Sequence, residues 1–289
     1  MTSVETSVVI PHYNDLAALD RCLTALARQT VSQDQYEIVV ADNGSPIGLE
    51  AVREAIAGRA RLVEVLAKGA GPARNGGVAA AAGQILAFTD SDCLPEPGWL
   101  AAGIEALGRG QIVGGGMKVL VDKPDAPTAA EAFEMIFAFD NADYVLRKHF
   151  SVTANLFVRR DDFLRVGGFR VGVSEDLEWC LRARSLGLRI VYEPDSLVGH
   201  PARRDWAELR KKWQRLVLER YNVTKERRFG LVRWLARTWL LPISILADLP
   251  KVMTSAKLPT CRCRAQAVGI LIALRLWRFI EGHRVVLAR

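Results

Sequence analysis

The chain has 289 residues, half of them hydrophobic, which is enough for one large domain or a domain with an appendage. Five cysteines, at 22, 93, 180, 261 and 263, are scattered and odd in number, which argues against a disulfide framework and for a reducing compartment. The net charge of +7 is unevenly divided: residues 1–200 carry −7 and residues 201–289 carry +14, so an acidic body precedes a basic tail that calls for an anionic partner surface.

The opening MTSVETSVVI has neither a basic run nor a long apolar stretch, so no signal peptide is expected. Ser7–Pro11 reads as a buried first strand, and His12–Asp15 as a turn in which Asn14 or Asp15 caps a helix. Leu16, Leu19, Leu23 and Leu26 recur at helical spacing and mark a core-facing stripe to about Gln29. Tyr36–Ala41 is a second buried strand, closed by Asp42-Asn43-Gly44-Ser45-Pro46. A helix over Leu49–Ala57, a strand at Leu62–Leu66, a flexible turn at Gly69–Gly71 and a small-residue helix over Ala73–Gly83 follow. Ile85–Phe88 is a short buried strand that stops at Thr89-Asp90-Ser91-Asp92-Cys93.

Strands alternating with helices argue for a parallel sheet with crossover helices. Polar turns that follow buried strands then share one edge, so Asp42, Arg74 and the Asp90/Asp92 pair are expected in one crevice. Two carboxylates one residue apart repel unless a cation lies beside them. Mg²⁺ or Mn²⁺ accepts such oxygens and brings a diphosphate with it, although Asp and Ser are also ordinary turn residues. Neither G-x-G-x-x-G nor the P-loop pattern is present.

The middle of the chain is less regular. Trp99–Leu107 reads as a helix, Ile112–Gly116 as a strand with flexible glycines, Lys118–Thr128 as a loop and Glu131–Tyr144 as an aromatic amphipathic stretch. Val152–Val158 reads as a strand and Arg160–Val166 as a short helix. Ser174-Glu175-Asp176 opens another helix, where acidic residues suit the helix dipole. Arg189–Tyr192 is a short strand, with a turn at Glu193-Pro194-Asp195 before His200.

Beyond His200 the texture changes. Trp206–Tyr221 is a basic helix, and Phe229–Leu249 and Ala265–Val286 are apolar but carry Arg233, Arg237, Arg275 and Arg278. Their uninterrupted apolar runs are shorter than the ~20 residues of a spanning helix. Trp234, Trp239 and Trp277 among arginines suit helices lying in a headgroup layer; the other reading is a helical subdomain packed on the body or a partner. The division expected is a catalytic domain at 1–202 and a membrane-associating tail at 203–289.

In order, SVVIPHYND, VVADNGSP, GPARNGGVAAAAGQILAFTDSDC, TANLFVRR, VGGF and SEDLEWCLRARSLGLRIVYEPDSLVGH resemble family 2 glycosyltransferases over about residues 5–200. The resemblance implies a GT-A fold: an α/β domain with a mostly parallel nucleotide-binding sheet flanked by helices, to which the basic helical tail is appended. It implies a divalent metal cofactor, Mn²⁺ or Mg²⁺, and inverting transfer of a sugar from a nucleotide-sugar donor, UDP-sugar favoured, to a saccharide or lipid-linked acceptor. Cell-envelope polysaccharide or glycolipid synthesis is the implied setting.

By this resemblance Pro11, Tyr13, Asp42, Arg74 and Asp90 bind the donor, with Asp42 on the base and Arg74 facing the nucleotide. His12 contributes backbone, its side chain being read as that of a surface loop. Asn75-Gly76-Gly77 lets backbone approach the ligand. Asp92, Asp90 and His200 hold the metal, and Asp176 is the general base. Thr153, Asn155 and Glu175 frame the acceptor side. The family pattern often has two Asp where Asp42-Asn43 stands here. The Gln-x-x-Arg-Trp of processive synthases is absent, Trp213-Gln214-Arg215 lacking its spacing, which points to single addition. The alternatives are sugar-nucleotide nucleotidyl transfer and a non-catalytic binder of nucleic acid or lipid. The tail's long aliphatics and Trp fit lipid better than nucleic acid, so no nucleic acid partner is expected, and the protein is expected in the cytoplasm, peripheral on the inner membrane face.

Overall fold

The computed structural model describes residues 4–288; the first three residues of the amino-terminal stretch and the last of the tail lie outside it. The described residues form two compact units. One comprises 4–118, 139–171 and 175–200, and the other 119–138, 172–174 and 201–288. The segment 119–138, which a boundary at 202 leaves in the body, therefore groups with the tail.

In the first unit β1 (Thr6–His12) pairs in parallel with β2 (Tyr36–Asp42) and β4 (Ile85–Phe88), and β2 with β3 (Arg61–Glu64). The connections are α1 (Leu16–Leu26), α2 (Leu49–Ile56) and α3 (Ala70–Ala80). Asp15 caps α1 by accepting from the Ala18 N–H at 2.9 Å. Alternate β1 side chains enter different cores, as the strand period requires. Val8 and Ile10 meet Leu19, Leu23 and Leu26 of α1, whereas Val9 joins Leu86 and Phe88.

The rest of the sheet is mixed. After β5 (Leu94–Pro95), α4 (Trp99–Ala106) and β6 (Ile112–Leu120), β7 (Leu156–Arg159) runs against both β4 and β6, and β8 (Ile190–Pro201) against β5. Strands β6 and β8 run the same way, the Ile112 N–H donating to the Arg189 carbonyl at one end and the Ala202 N–H to the Leu120 carbonyl at the other. Among the described residues the order is β3-β2-β1-β4-β7-β6-β8-β5 in one eight-stranded sheet.

Several elements differ from the sequence reading for identifiable reasons. Helix α3 starts at Ala70 rather than Ala73, because Pro72 sits in its first turn, where a missing N–H costs no helical bond. Arg74 is therefore inside the helix. A Cβ at Gly76 would lie 2.4 Å from Val65 Cγ2, and one at Gly77 2.6 Å from Val9 Cγ1. These glycines let α3 pack closely against Val65 and Val9. Residues 131–144 split into α5 (Ala129–Phe137) and α6 (Asn141–Lys148), with Phe139 between them at φ +51°. The expected strand from Val152 opens as a 3₁₀ turn at Thr153–Asn155. The turn expected at Glu193–Asp195 lies inside β8. Helices α7 (Arg160–Val166) and α8 (Glu175–Ser185) fall where the sequence places them.

The second unit joins α5 to α9 (Trp206–Lys225), α10 (Gly230–Met253) and α11 (Cys261–Leu287) around Phe133, Ile136, Leu209, Leu271 and Leu274. Buried Glu134 takes the Lys212 ammonium at 2.6 Å and the Arg203 N–H at 2.7 Å. Burial would raise the Glu134 carboxyl, but Lys212 and Arg203 outweigh it and hold it below its usual range. Two aromatic expectations fail here. Trp234 is buried and donates to the Gly282 carbonyl at 2.8 Å, and Trp277 packs against the core of the unit. Arg278 lies over the Trp213 ring at 4.1 Å; burial, then Arg275 and Arg220, pull it down to about 9. Arg275 pairs with Asp248 at 2.6 Å. Only Trp239 of the three expected headgroup tryptophans is exposed. Among the described residues no helix is long and apolar enough to cross a membrane. All five cysteines are free, and of these only Cys261 is exposed.

Candidate active site

The site is built from the carboxyl ends of β1, β2 and β4. Strand register places His12 opposite Asp42. Instead of being a surface residue, His12 is buried, with Nδ1 2.9 Å from Asp42 Oδ1. Asp42 also accepts from the Ser45 N–H at 3.0 Å and the Ser45 hydroxyl at 2.5 Å. Burial alone would raise the Asp42 carboxyl, but the two Ser45 bonds and then His12 hold it below the usual carboxylate range. The carboxylate that the resemblance assigns to a nucleotide base thus has three polar contacts within the protein. An ionised Asp42 keeps the shared proton on His12 Nδ1, and Nε2 has no partner among the described residues.

Asn43 explains the missing second Asp. Its amide donates to the Val65 carbonyl at 2.9 Å and the Ala67 carbonyl at 2.7 Å, while its oxygen accepts from the Gly69 N–H at 2.7 Å. A carboxylate cannot donate to those carbonyls. Of the other expected donor contacts, Pro11 is half-buried opposite Ala41, and Tyr13 is exposed with the Lys68 ammonium 5.8 Å from its ring centre.

Arg74 reaches the site from α3 and is 2% exposed. One guanidinium nitrogen donates to Asp90 Oδ1 at 2.5 Å and another to Glu175 Oε1 at 3.0 Å. Burial opposes its charge, but Asp90 and Glu175 together outweigh burial and hold the guanidinium above its ordinary value. Arg74 therefore clamps two protein carboxylates rather than facing out to a ligand. Glu175, expected on the acceptor side, gives Oε1 to this clamp. The clamp ties the loop after β4 to the first turn of α8. In that turn Asp176 is half-buried, its Oδ1 accepting from the Leu177 N–H at 2.7 Å.

The loop after β4 is closed by the Cys93 N–H donating to the Asp90 carbonyl at 3.0 Å. Asp92 Oδ2 lies 3.5 Å from His200 Nε2 on β8, and Cys93 Sγ completes a group of ligand atoms within 4.8 Å of one another. Burial, then Asp92 and Asp90, push the Cys93 thiol well above its usual value, so it stays protonated. Asp92 and His200 remain as an oxygen and an imidazole nitrogen, a set suited to Mn²⁺. Ligands bound at ~2.1 Å and at right angles stand about 3 Å apart, so the observed spacing fits such an ion with a small shift. The Phe139 ring packs on His200 at 4.5 Å between centres.

The acceptor-side expectations fare differently. Asn155 is fully buried: Nδ2 donates to the Gly116 and Ser196 carbonyls at 2.9 and 2.7 Å, and Oδ1 accepts from Trp99 Nε1 at 2.9 Å. From within the core it ties β6, β8 and α4 together. Thr153 is buried in the 3₁₀ turn. Sequence reading missed Ser45, Cys93 and Phe139. The first two sit beside the predicted carboxylates and were within reach of the motif. Phe139 carries no local signal.

A strand ending in paired carboxylates, a crossover helix carrying a clamping Arg and a His on a returning strand define a nucleotide-sugar-type α/β site. Three comparisons give the family and the fold. The model of Glycosyl transferase family 2 matches residues 7–167. The chain is 30% identical over 279 residues to "Glycosyltransferase AglE" of Haloferax volcanii, covering 94% of this chain and 91% of that one. The chain belongs to glycosyl transferase family 2, and it is a glycosyltransferase with the GT-A fold. Its structure is similar to the mannosyltransferase PcManGT of Pyrobaculum calidifontis in complex with GDP-Man and Mn²⁺, with TM-score 0.62 and 20% identity over 96% of this chain and 86% of that one. It is also similar to GalNAc-T7 with UDP, GalNAc and Mn²⁺, with TM-score 0.54 and 18% identity over 70% of this chain and 44% of that one. Asp176 and His200 lie beyond the span matched by the family model.

Proposed function

We propose that the chain catalyses metal-dependent, inverting transfer of a sugar from a nucleoside-diphosphate sugar to an acceptor hydroxyl. The acceptor is a saccharide or a lipid-linked saccharide of the kind used to build cell-envelope polysaccharide or glycolipid. The observation that carries this reading is the Arg74 clamp, which brings the Asp90/Asp92 loop and the first turn of α8 to one place.

Asp92 and His200 are the residues that would hold the divalent ion, with Asp90 beside them. When bound, the ion supplies positive charge to the departing diphosphate. Asp176 takes the acceptor hydroxyl's proton as its oxygen attacks the anomeric carbon. The sugar–phosphate bond breaks as the new glycosidic bond forms, and a single displacement inverts that carbon. Tyr13 and Pro11, which keep accessible surface, border the nucleotide.

The test is calorimetric titration of UDP, expected first from the resemblance, and of GDP, CDP and dTDP, with and without Mn²⁺. One nucleotide should bind to wild type in a Mn²⁺-dependent manner, and Asp92→Asn should lose that dependence. Asp176→Asn should retain nucleotide binding and lose transfer. Binding of none of the four to folded wild type, or full transfer by Asp176→Asn, would overturn the proposal.

A further inference from the structure

Helix α10 carries an apolar stripe turned to solvent. Val232, Ala236, Trp239, Ile243, Leu246 and Met253 follow steps of three, four or seven residues, which keeps them on one face. Every one of them is exposed, Leu246 to 74% and Trp239 to 62%. The buried positions Trp234, Thr238 and Val252 lie on a different face, directed to the unit's own packing. Helix α11 repeats the pattern with exposed Ile272, Leu276 and Ile280. Trp239 meets Phe279 edge-on at 5.1 Å, one turn from Leu276, so the two stripes are joined. Large aliphatics exposed in series on adjoining helices mark an interaction surface, whereas scattered ones do not.

We propose that this α10–α11 face docks on an anionic lipid bilayer, lying in the headgroup layer without crossing it. Three observations select that occupant. Residues 201–289 carry a net +14, and exposed Arg233 and Arg237 stand one position along from Val232 and Ala236. No described helix is long and apolar enough to cross a membrane. A second copy of the chain would bring an equally basic surface against this one, so charge disfavours self-association. Apolar side chains enter the acyl boundary while the flanking guanidinium groups meet lipid phosphates. This goes beyond the transferase reading, since a transferase with a water-soluble acceptor has no use for such a face.

The experiment is co-sedimentation of the full chain with phosphatidylcholine vesicles, with and without phosphatidylglycerol, alongside light scattering without lipid. Wild type should bind only the vesicles containing phosphatidylglycerol. The pair Ile243→Glu and Leu246→Glu should weaken binding by roughly tenfold or more. Because each surface cation contributes about 1 kcal/mol, the pair Arg233→Ala and Arg237→Ala should lose about 30-fold. All these positions are exposed, so melting temperature and nucleotide binding should stay as in wild type. Equal binding by wild type and both pairs would overturn the proposal. So would a wild-type dimer that binds no vesicles and is broken by the glutamates, or binding to DNA in place of lipid.

Discussion

Replacing Arg74 by Met separates two roles for that side chain. The side chain is 3% exposed, and its guanidinium reaches Asp90 at 2.5 Å and Glu175 at 3.0 Å. Removing one partner of a buried ion pair costs about 3–5 kcal/mol, because the other charge is stranded. Asp90 and Glu175 keep 29% and 23% of their side-chain surface in water, so hydration recovers part of this and about 2–3 kcal/mol remains. In a protein of this size each kcal/mol is about 2–4 °C, so the melting temperature should fall by roughly 4–12 °C in the absence of any ligand. Arg74→Lys should recover little, since one ammonium cannot serve two acceptors as a fork does. The assay is calorimetric unfolding of the ligand-free protein. If Arg74 acted only on a nucleotide, the ligand-free melt would not move and nucleotide affinity alone would drop; that outcome would refute the clamp.

Asp42 has a carboxyl held below its usual range. Its stabilisation is full above the unfolded value of ~3.9 and is lost as pH falls through the folded value. Asp42→Asn should therefore flatten the acid arm of the stability–pH curve measured by denaturant melts, leaving the shape above pH ~5 unchanged. Glu134→Gln should cost about 2–3 kcal/mol in thermal unfolding, because it strands Lys212 and Arg203, whose side chains keep 16% and 23% of their surface in water. Gly77→Ala should cost about 1–3 kcal/mol by the same measurement, since its methyl would lie 2.6 Å from Val9 Cγ1.

What the sequence reveals and what it hides divide along range. The Asp90/Asp92 loop was legible because four consecutive apolar residues, Ile85–Phe88, fix a buried strand and the acidic residues follow it at once. Asp42 was legible for the same reason, and the α1 stripe by its spacing. The partners of these residues were not legible. His12 and Asp42 are 30 positions apart, and Arg74 and Glu175 are 101 apart. No periodicity carries such pairings, so His12 read as a surface residue and Arg74 as a ligand contact. Asn155 looked polar and available because its three bonds go to elements near positions 99, 116 and 196. The antiparallel pairings of β7 with β4 and β6, and of β5 with β8, escaped detection because a single strand's burial pattern does not state its direction. The helix was expected only from Ala73, one residue after Pro72, although the first helical turn tolerates proline.

The cysteines described above also make the chain convenient to handle. Cys22, Cys93, Cys180 and Cys263 are buried, and burial pushes the thiols of Cys22 and Cys93 and, to about 12, that of Cys180 out of the reactive range. Cys261, at the start of α11, is the one that reaches solvent. A maleimide fluorophore or spin label added to the unmodified chain should therefore attach at a single place on the helical unit. It would leave the carboxylates of the first unit untouched and give a reporter without any engineered substitution.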